Sequence, residues 1–208
     1  MKVRLLILLV TFLTLLASMS ITASSQTVVT FDDLTETASG SFITTPYHSL
    51  VWSNFLCLNS VLSNAKFGPD GTYYGMVSAS NVVINGSFFG TTAEIDSTAS
   101  NFNFLSVYLA GAQRSNLNIE VEGFRSGGLL YDTTVVASAT SPTLFNFNYL
   151  NIDQLVFNSS GGQTAFFGGQ ESLVMDNFTF DLVPEPSAFL LAGFGALMLC
   201  PLLKRRRT

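Results

Sequence analysis

The sequence predicts an all-β protein: a single antiparallel β-sandwich of jelly-roll type, flanked by an N-terminal signal helix and a C-terminal transmembrane helix. Three observations carry this. Between Gln26 and Val183, short β-favouring runs recur, separated by clusters of Gly, Pro, Asn and Ser. Several of these runs alternate polar and apolar residues, the period of a half-buried strand. Both ends of the chain are apolar and flanked by basic residues, whereas the stretch between them is acidic.

At the N-terminus, Lys2 and Arg4 precede the apolar run Leu5–Leu16, and small residues follow at Ala17, Ser18, Ser20, Ala23, Ser24 and Ser25. A basic start, a short apolar centre and a small-residue exit describe a secretory signal peptide over residues 1–25, so the mature chain begins near Gln26. Strands are expected over Val28–Leu34, Leu50–Leu58, Tyr73–Ser78, Val82–Asn85, Ala93–Asp96 and Phe102–Leu109. They continue over Asn116–Glu122, Val121–Arg125, Leu129–Val136, Thr143–Tyr149, Ile152–Asn158 and Leu173–Leu182. Ser126-Gly127-Gly128 is a tight-turn signal that joins two of them as a hairpin. No helix is expected between Gln26 and Val183. No internal repeat is evident either, which argues against a β-solenoid. The span 26–182 is long enough for one domain with its own core.

The charge balance separates the three segments. Six of the nine Lys and Arg residues lie in the terminal segments, leaving Lys66, Arg114 and Arg125 in the middle. Thirteen of the fourteen acidic residues lie between Gln26 and Val183, so that region carries a net −10. Such a surface excludes nucleic acid, whose phosphates demand clustered Lys and Arg. Cys57 is the only cysteine outside the tail and has no internal partner, so it reads as a small buried apolar residue.

The C-terminal segment 183–208 has three parts. Val183-Pro184-Glu185-Pro186-Ser187 is held extended by its two prolines. The uncharged run Ala188–Leu203 follows, and as a helix it would be about 24 Å long, short against a hydrocarbon core of about 30 Å. Lys204, Arg205, Arg206 and Arg207 close the chain as a cytoplasmic stop, leaving everything before Ala188 outside. A Pro-Glu-Pro motif, a hydrophobic segment and an Arg cluster in this order resemble the PEP-CTERM sorting signal of Gram-negative bacteria. This tail is also labelled an ice-binding protein C-terminal domain, a label that by itself implies no affinity for ice. The resemblance maps Pro184, Glu185 and Pro186 onto the family's motif and implies cleavage by an exosortase-type processing enzyme. It further implies a membrane-anchored precursor and a mature form at the cell envelope or outside the cell. The resemblance covers the tail alone and is silent on the domain before it.

Val29-Thr30-Phe31-Asp32-Asp33-Leu34 and Leu173-Val174-Met175-Asp176-Asn177-Phe178-Thr179-Phe180 resemble the first and last strands of extracellular jelly-roll modules, carbohydrate-binding modules among them. That resemblance implies a structural calcium held near the two chain ends by Asp32 or Asp33 with Asp176 and Asn177. Read from the residues alone, these are ordinary strand-end and turn positions for Asp and Asn. For stacking on sugar rings the candidates are Tyr73, Tyr74 and Trp52, with Tyr47 nearby. Trp52 sits in an apolar run, where a core position is the commoner fate.

Catalytic signals are weak. His48 is the sole histidine and lies in a loop beside Pro46 and Tyr47; there is no Gly-x-Ser-x-Gly elbow and no phosphate-binding glycine loop. The sequence thus points to a non-enzymatic exported protein whose mature domain binds glycan or exopolysaccharide. A structural matrix or adhesion protein acting by self-association is the alternative, and a small glycan hydrolase, which needs only two carboxylates, comes third.

Overall fold

Over residues 25–86 and 92–183, which the computed structural model describes, the alternating runs pair into an antiparallel sandwich. The strands in chain order are β1 (Thr27–Val29), β2 (Ser41–Phe42), β3 (Leu50–Ser53), β4 (Phe55–Asn59), β5 (Asn81–Asn85), β6 (Thr92–Ser97) and β7 (Phe102–Gly111). They continue as β8 (Arg114–Ser115), β9 (Leu117–Arg125), β10 (Gly128–Ala137), β11 (Thr143–Ile152), β12 (Gln154–Ser160), β13 (Gln163–Thr164) and β14 (Leu173–Leu182). One sheet runs β11-β7-β14-β5-β4-β2, with β1 added to β14; the facing sheet runs β10-β9-β12-β6-β3. The signal peptide and the sorting tail from Pro184 onward lie outside the described residues.

Aromatic side chains fill the space between the sheets. Phe31, Phe55, Phe102, Phe104, Phe157, Phe178 and Phe180 are fully buried, and Phe104 stacks on Phe178 with centroids 4.9 Å apart. Each buried Phe contributes about 2 kcal/mol, which is how a domain without disulfides holds two sheets together. Buried Asn85 ties the layers with polar bonds: its Nδ2 donates to Ser159 Oγ at 2.8 Å and its Oδ1 accepts from Leu173 N at 2.8 Å.

The strands expected over Leu50–Leu58, Val28–Leu34 and Tyr73–Ser78, and the expected absence of helix, need correction. The run Leu50–Leu58 is two strands in different sheets, because Asn54 takes a positive φ of 60° and turns the chain across the sandwich. The first strand ends at Val29 rather than Leu34, because Phe31 takes a φ of 63° and the chain enters a turn closed by Leu34 N on Phe31 O. Two helices form where none was expected: α1 (Ser60–Phe67) and α2 (Gly71–Tyr74), so Tyr73 and Tyr74 are not on a strand. Both are started by side-chain caps, Asn59 Oδ1 accepting from Leu62 N and Asp70 Oδ1 from Thr72 N. They lie between β4 and β5 on the outer face of the larger sheet, where Leu58, Val82, Ala110, Ala112 and Val174 form a second, smaller core with Met76 beside it. Among the described residues, no helix is long and apolar enough to cross a membrane.

Candidate functional site

The sequence-nominated aromatic residues separate cleanly. Trp52 is 4% exposed and packs edge-on against Phe31, Phe55 and Phe178, while its indole Nε1 donates to Tyr47 O at 3.0 Å. It therefore offers no face to a ligand. Tyr47 is half-buried; its hydroxyl donates to Asp33 Oδ1 at 2.6 Å, and burial, followed by that bond and the Asp33 charge, pushes its phenol well above the usual value. Tyr73 and Tyr74 are exposed at 36% and 40%.

The two tyrosines stand on α2, and α2 is seated on the end of β7. Gly71 N donates to Ala112 O at 2.7 Å, and a Cβ on Gly71 would lie 1.8 Å from Gly111 O, so only glycine permits this approach. The next residues grip a second loop. Gln113 O accepts from Ala165 N and Phe166 N, and Gln113 Oε1 accepts from Gln170 N at 2.8 Å. Arg114 donates through Nε to Gly169 O at 2.6 Å and through Nη1 to Gly161 O and Gly162 O, and it pairs with Glu171 at 3.6 Å. β13 also pairs with β8 beside them.

The segment Gly111–Arg114 thus anchors both loops, and their aromatic rings meet. Tyr74 stacks on Phe166 with centroids 5.8 Å apart and planes 20° from parallel, Tyr73 packs edge-on to Tyr74 at 5.6 Å, and Phe167 is fully exposed. Gln163, Thr164 and Gln170, all exposed, lie along the same loop. A held cluster of rings, with Tyr73, Tyr74 and Phe167 exposed and Phe166 half-buried, edged by amides and hydroxyls, can stack on an apolar ligand face and hydrogen-bond its polar rim. Sequence reasoning found Tyr73 and Tyr74 and missed Phe166 and Phe167. Their signal was a Phe pair between Gly161-Gly162 and Gly168-Gly169, without the alternation that would carry it into a core.

Each carboxylate nominated for calcium has hydrogen-bond partners within the protein. Asp32 Oδ1 accepts from Asn81 N at 3.0 Å, and Asp33 turns to Tyr47. Asp176 is fully buried; its Oδ2 accepts from Val77 N and Ser78 N, and its Oδ1 from Ser78 Oγ and Asn177 N. Burial raises its carboxyl pKa, and those four bonds pull it back down. Asn177 Oδ1 is buried without a partner, as is Asn81 Oδ1. Among the described residues, no three His, Cys, Asp or Glu side chains are grouped to hold a metal ion.

A second surface is chemically distinct. Asp132 faces Glu122 across β10–β9, Val156 lies between Glu122 and Glu94, and Glu120 and Asp96 are two residues along from these. Strand alternation therefore places five carboxylates on one face of the smaller sheet. Asn158 Nδ2 donates to both Glu120 and Glu122.

No family model matches the sequence, and no curated protein matches it. Among solved structures, the chain is similar to the K1 cleaved adhesin domain of Lys-gingipain from Porphyromonas gingivalis W83, at 11% identity and a TM-score of 0.44, over 77% of this chain and 99% of that one. It is similar to a family 29 carbohydrate-binding module from Piromyces equi at 10% identity and a TM-score of 0.38, over 79% and 95%. A third likeness, at 12% and 0.32 over 76% and 100%, is to the CBM51 of Clostridium perfringens GH95, solved with methyl-galactose. None of these distant likenesses transfers a ligand to this chain.

Proposed function

We propose that the domain 26–182 is a non-catalytic glycan-binding module of an exported protein, working at the cell envelope or in the extracellular matrix after an exosortase-type enzyme removes the tail. The observation that supports it is the Tyr74–Phe166 stack with Tyr73 and Phe167 beside it, fixed by two anchored loops. Exposing such rings on a −10 domain has a solubility cost that a ligand would justify. The test is a glycan array on the protein isolated after export, with the Tyr74→Ala and Phe167→Ala variants beside it. Saturable binding that both variants lose supports the reading; a blank array from folded protein overturns it. Intact mass of the exported protein tests the address: a mass lacking Ala188–Thr208 supports processing, and a mass retaining them counts against it.

Self-association has its own support. β10 and β11 are edge strands of ten residues each; they carry Asp132 as their one charge and expose Leu129, Leu130, Val136, Leu144 and Leu150. Long edges without Lys or Pro invite pairing with another copy. Concentration-dependent mass by light scattering, abolished in a Val136→Lys, Leu144→Lys double variant, is the expected outcome; a monomer at all concentrations removes this reading.

A further inference from the structure

We infer that the Tyr73–Tyr74–Phe166–Phe167 patch takes uncharged polysaccharide and rejects uronate-bearing or sulfated chains. This rests on the glycan-binding reading of the same patch and names the chemistry of its ligand. Acidic polysaccharides are held by Arg and Lys through charge-assisted bonds, most effectively by a guanidinium fork. The domain has three candidates, and each is accounted for.

Arg114 is the guanidinium at the patch, and its fork is turned to the loop's own carbonyls. Its Nε and Nη1 donate to the carbonyls of Gly161, Gly162 and Gly169, and its charge is opposed by Glu171. Turning it outward to a ligand would release the loop that carries Phe166 and Phe167. Lys66 lies in the last turn of α1, its ammonium 4.8 Å from the centre of the exposed Phe67 ring, and as a lone ammonium it offers no bidentate fork to a carboxylate or sulfate. Arg125 ends β9, eight residues along from Leu117, which places it about 26 Å from the strand end nearest β8.

Two carboxylates border the patch, one of them paired with Arg114. Asp70 heads α2, accepting from Thr72 N and Oγ1, and Glu171 follows the aromatic loop. A carboxylate or sulfate on a sugar stacked over Tyr74 and Phe166 would approach these two within a field set by a net −10. What the loops do offer is suited to hydroxyls: Gln163, Thr164, Gln170 and the phenols of Tyr73 and Tyr74. Stacking on rings supplies the affinity without charge.

The experiment is affinity electrophoresis of the exported protein and its Phe167→Ala variant. The gels contain neutral glucan, galactan or mannan, or else polygalacturonate, alginate or dextran sulfate. Phe167 is fully exposed, so the variant keeps the fold. Expected are retardation by at least one neutral polymer, changed less than about twofold between about 20 mM and 500 mM salt, and a loss of about fivefold or more in Phe167→Ala. Retardation by a polyanion that needs Phe167 overturns this inference and leaves the glycan-binding reading standing. No retardation by any polymer overturns both.

Discussion

Asp176 receives both polar hydrogens of Ser78: Oδ2 accepts the backbone N–H at 2.8 Å and Oδ1 the side-chain hydroxyl at 2.9 Å. The two residues are 98 apart in sequence. The pairing fills a specific gap. β5 pairs with β14 at Val174 and Met175, β1 pairs with it from Phe178 to Phe180, and Asp176 stands between the two. The carboxylate ties down the returning chain at Val77 and Ser78, where neither strand can. Replacing it with an amide turns a donor toward donors. Asp176→Asn is therefore expected to cost about 3 kcal/mol in urea unfolding, against about 1 kcal/mol for Ser78→Ala, which removes one bond. Equal small effects from both variants would remove Asp176 from this role.

Arg114 organises the aromatic loop through a planar fork that Lys cannot reproduce. Arg114→Lys keeps the charge opposite Glu171 and loses the geometry at the glycine carbonyls. Hydrogen exchange should quicken about tenfold or more in the loop 161–170 while the amides of β7 and β14 keep their protection. Glycan affinity should fall with it. Uniform loosening of both sheets would instead mark Arg114 as a support of the whole domain.

Trp52 and Tyr74 should exchange the roles that aromatic residues most often confuse. Trp52→Phe removes buried area and the bond to Tyr47 O, an expected loss of about 2 kcal/mol in stability with ligand affinity unchanged. Tyr74→Ala should do the reverse. Because Trp52 is the single tryptophan, its emission in the native protein should be blue-shifted and should not respond to ligand. A ligand-induced change in that emission would contradict its core position.

The sandwich was legible because its signal is repetitive: the runs at Asn116–Glu122 and Thr143–Tyr149 alternate, and the Ser126–Gly128 turn joins β9 to β10 as expected. α1 was not legible. Its Ser-Val-Leu-Ser-Asn-Ala-Lys-Phe segment exposes Val61, Leu62 and Phe67 and buries Ser60 and Ser63, so it rests on the Asn59 cap and on a tertiary bond from Ser60 Oγ to Thr72 O. The crossing at Asn54 was hidden for a related reason, since a single left-handed residue leaves the β-favouring composition on either side intact. Half of the aromatic patch was visible as Tyr73 and Tyr74. Phe166 and Phe167 join it only because Gly111–Arg114 grips two loops about 90 residues apart, a pairing that spacing along the chain does not encode.

Glu122 gives the domain a pH dependence whose sign follows from its neighbours. It faces Asp132 across β9–β10 and lies two residues from Glu120 on the same face. Partial burial, then the charges of Glu120 and Asp132, hold its carboxyl above the ordinary value. In the unfolded chain Glu122 titrates at the ordinary value, so between the two values the folded protein carries more protons than the unfolded one. Stability therefore falls as pH rises through that window and recovers as pH falls back toward the unfolded value. Asp176, also raised, has the same sign, so the informative comparison is between the native protein and Glu122→Gln. The variant should melt higher than the native protein at neutral pH and lose part of the rise that the native protein shows on acidification toward the ordinary glutamate value. Added salt should raise the native melting temperature more than that of the variant, because it screens the three-carboxylate repulsion. Parallel melting curves for the two proteins across this range would mean that the acidic face is solvated well enough to carry no linkage.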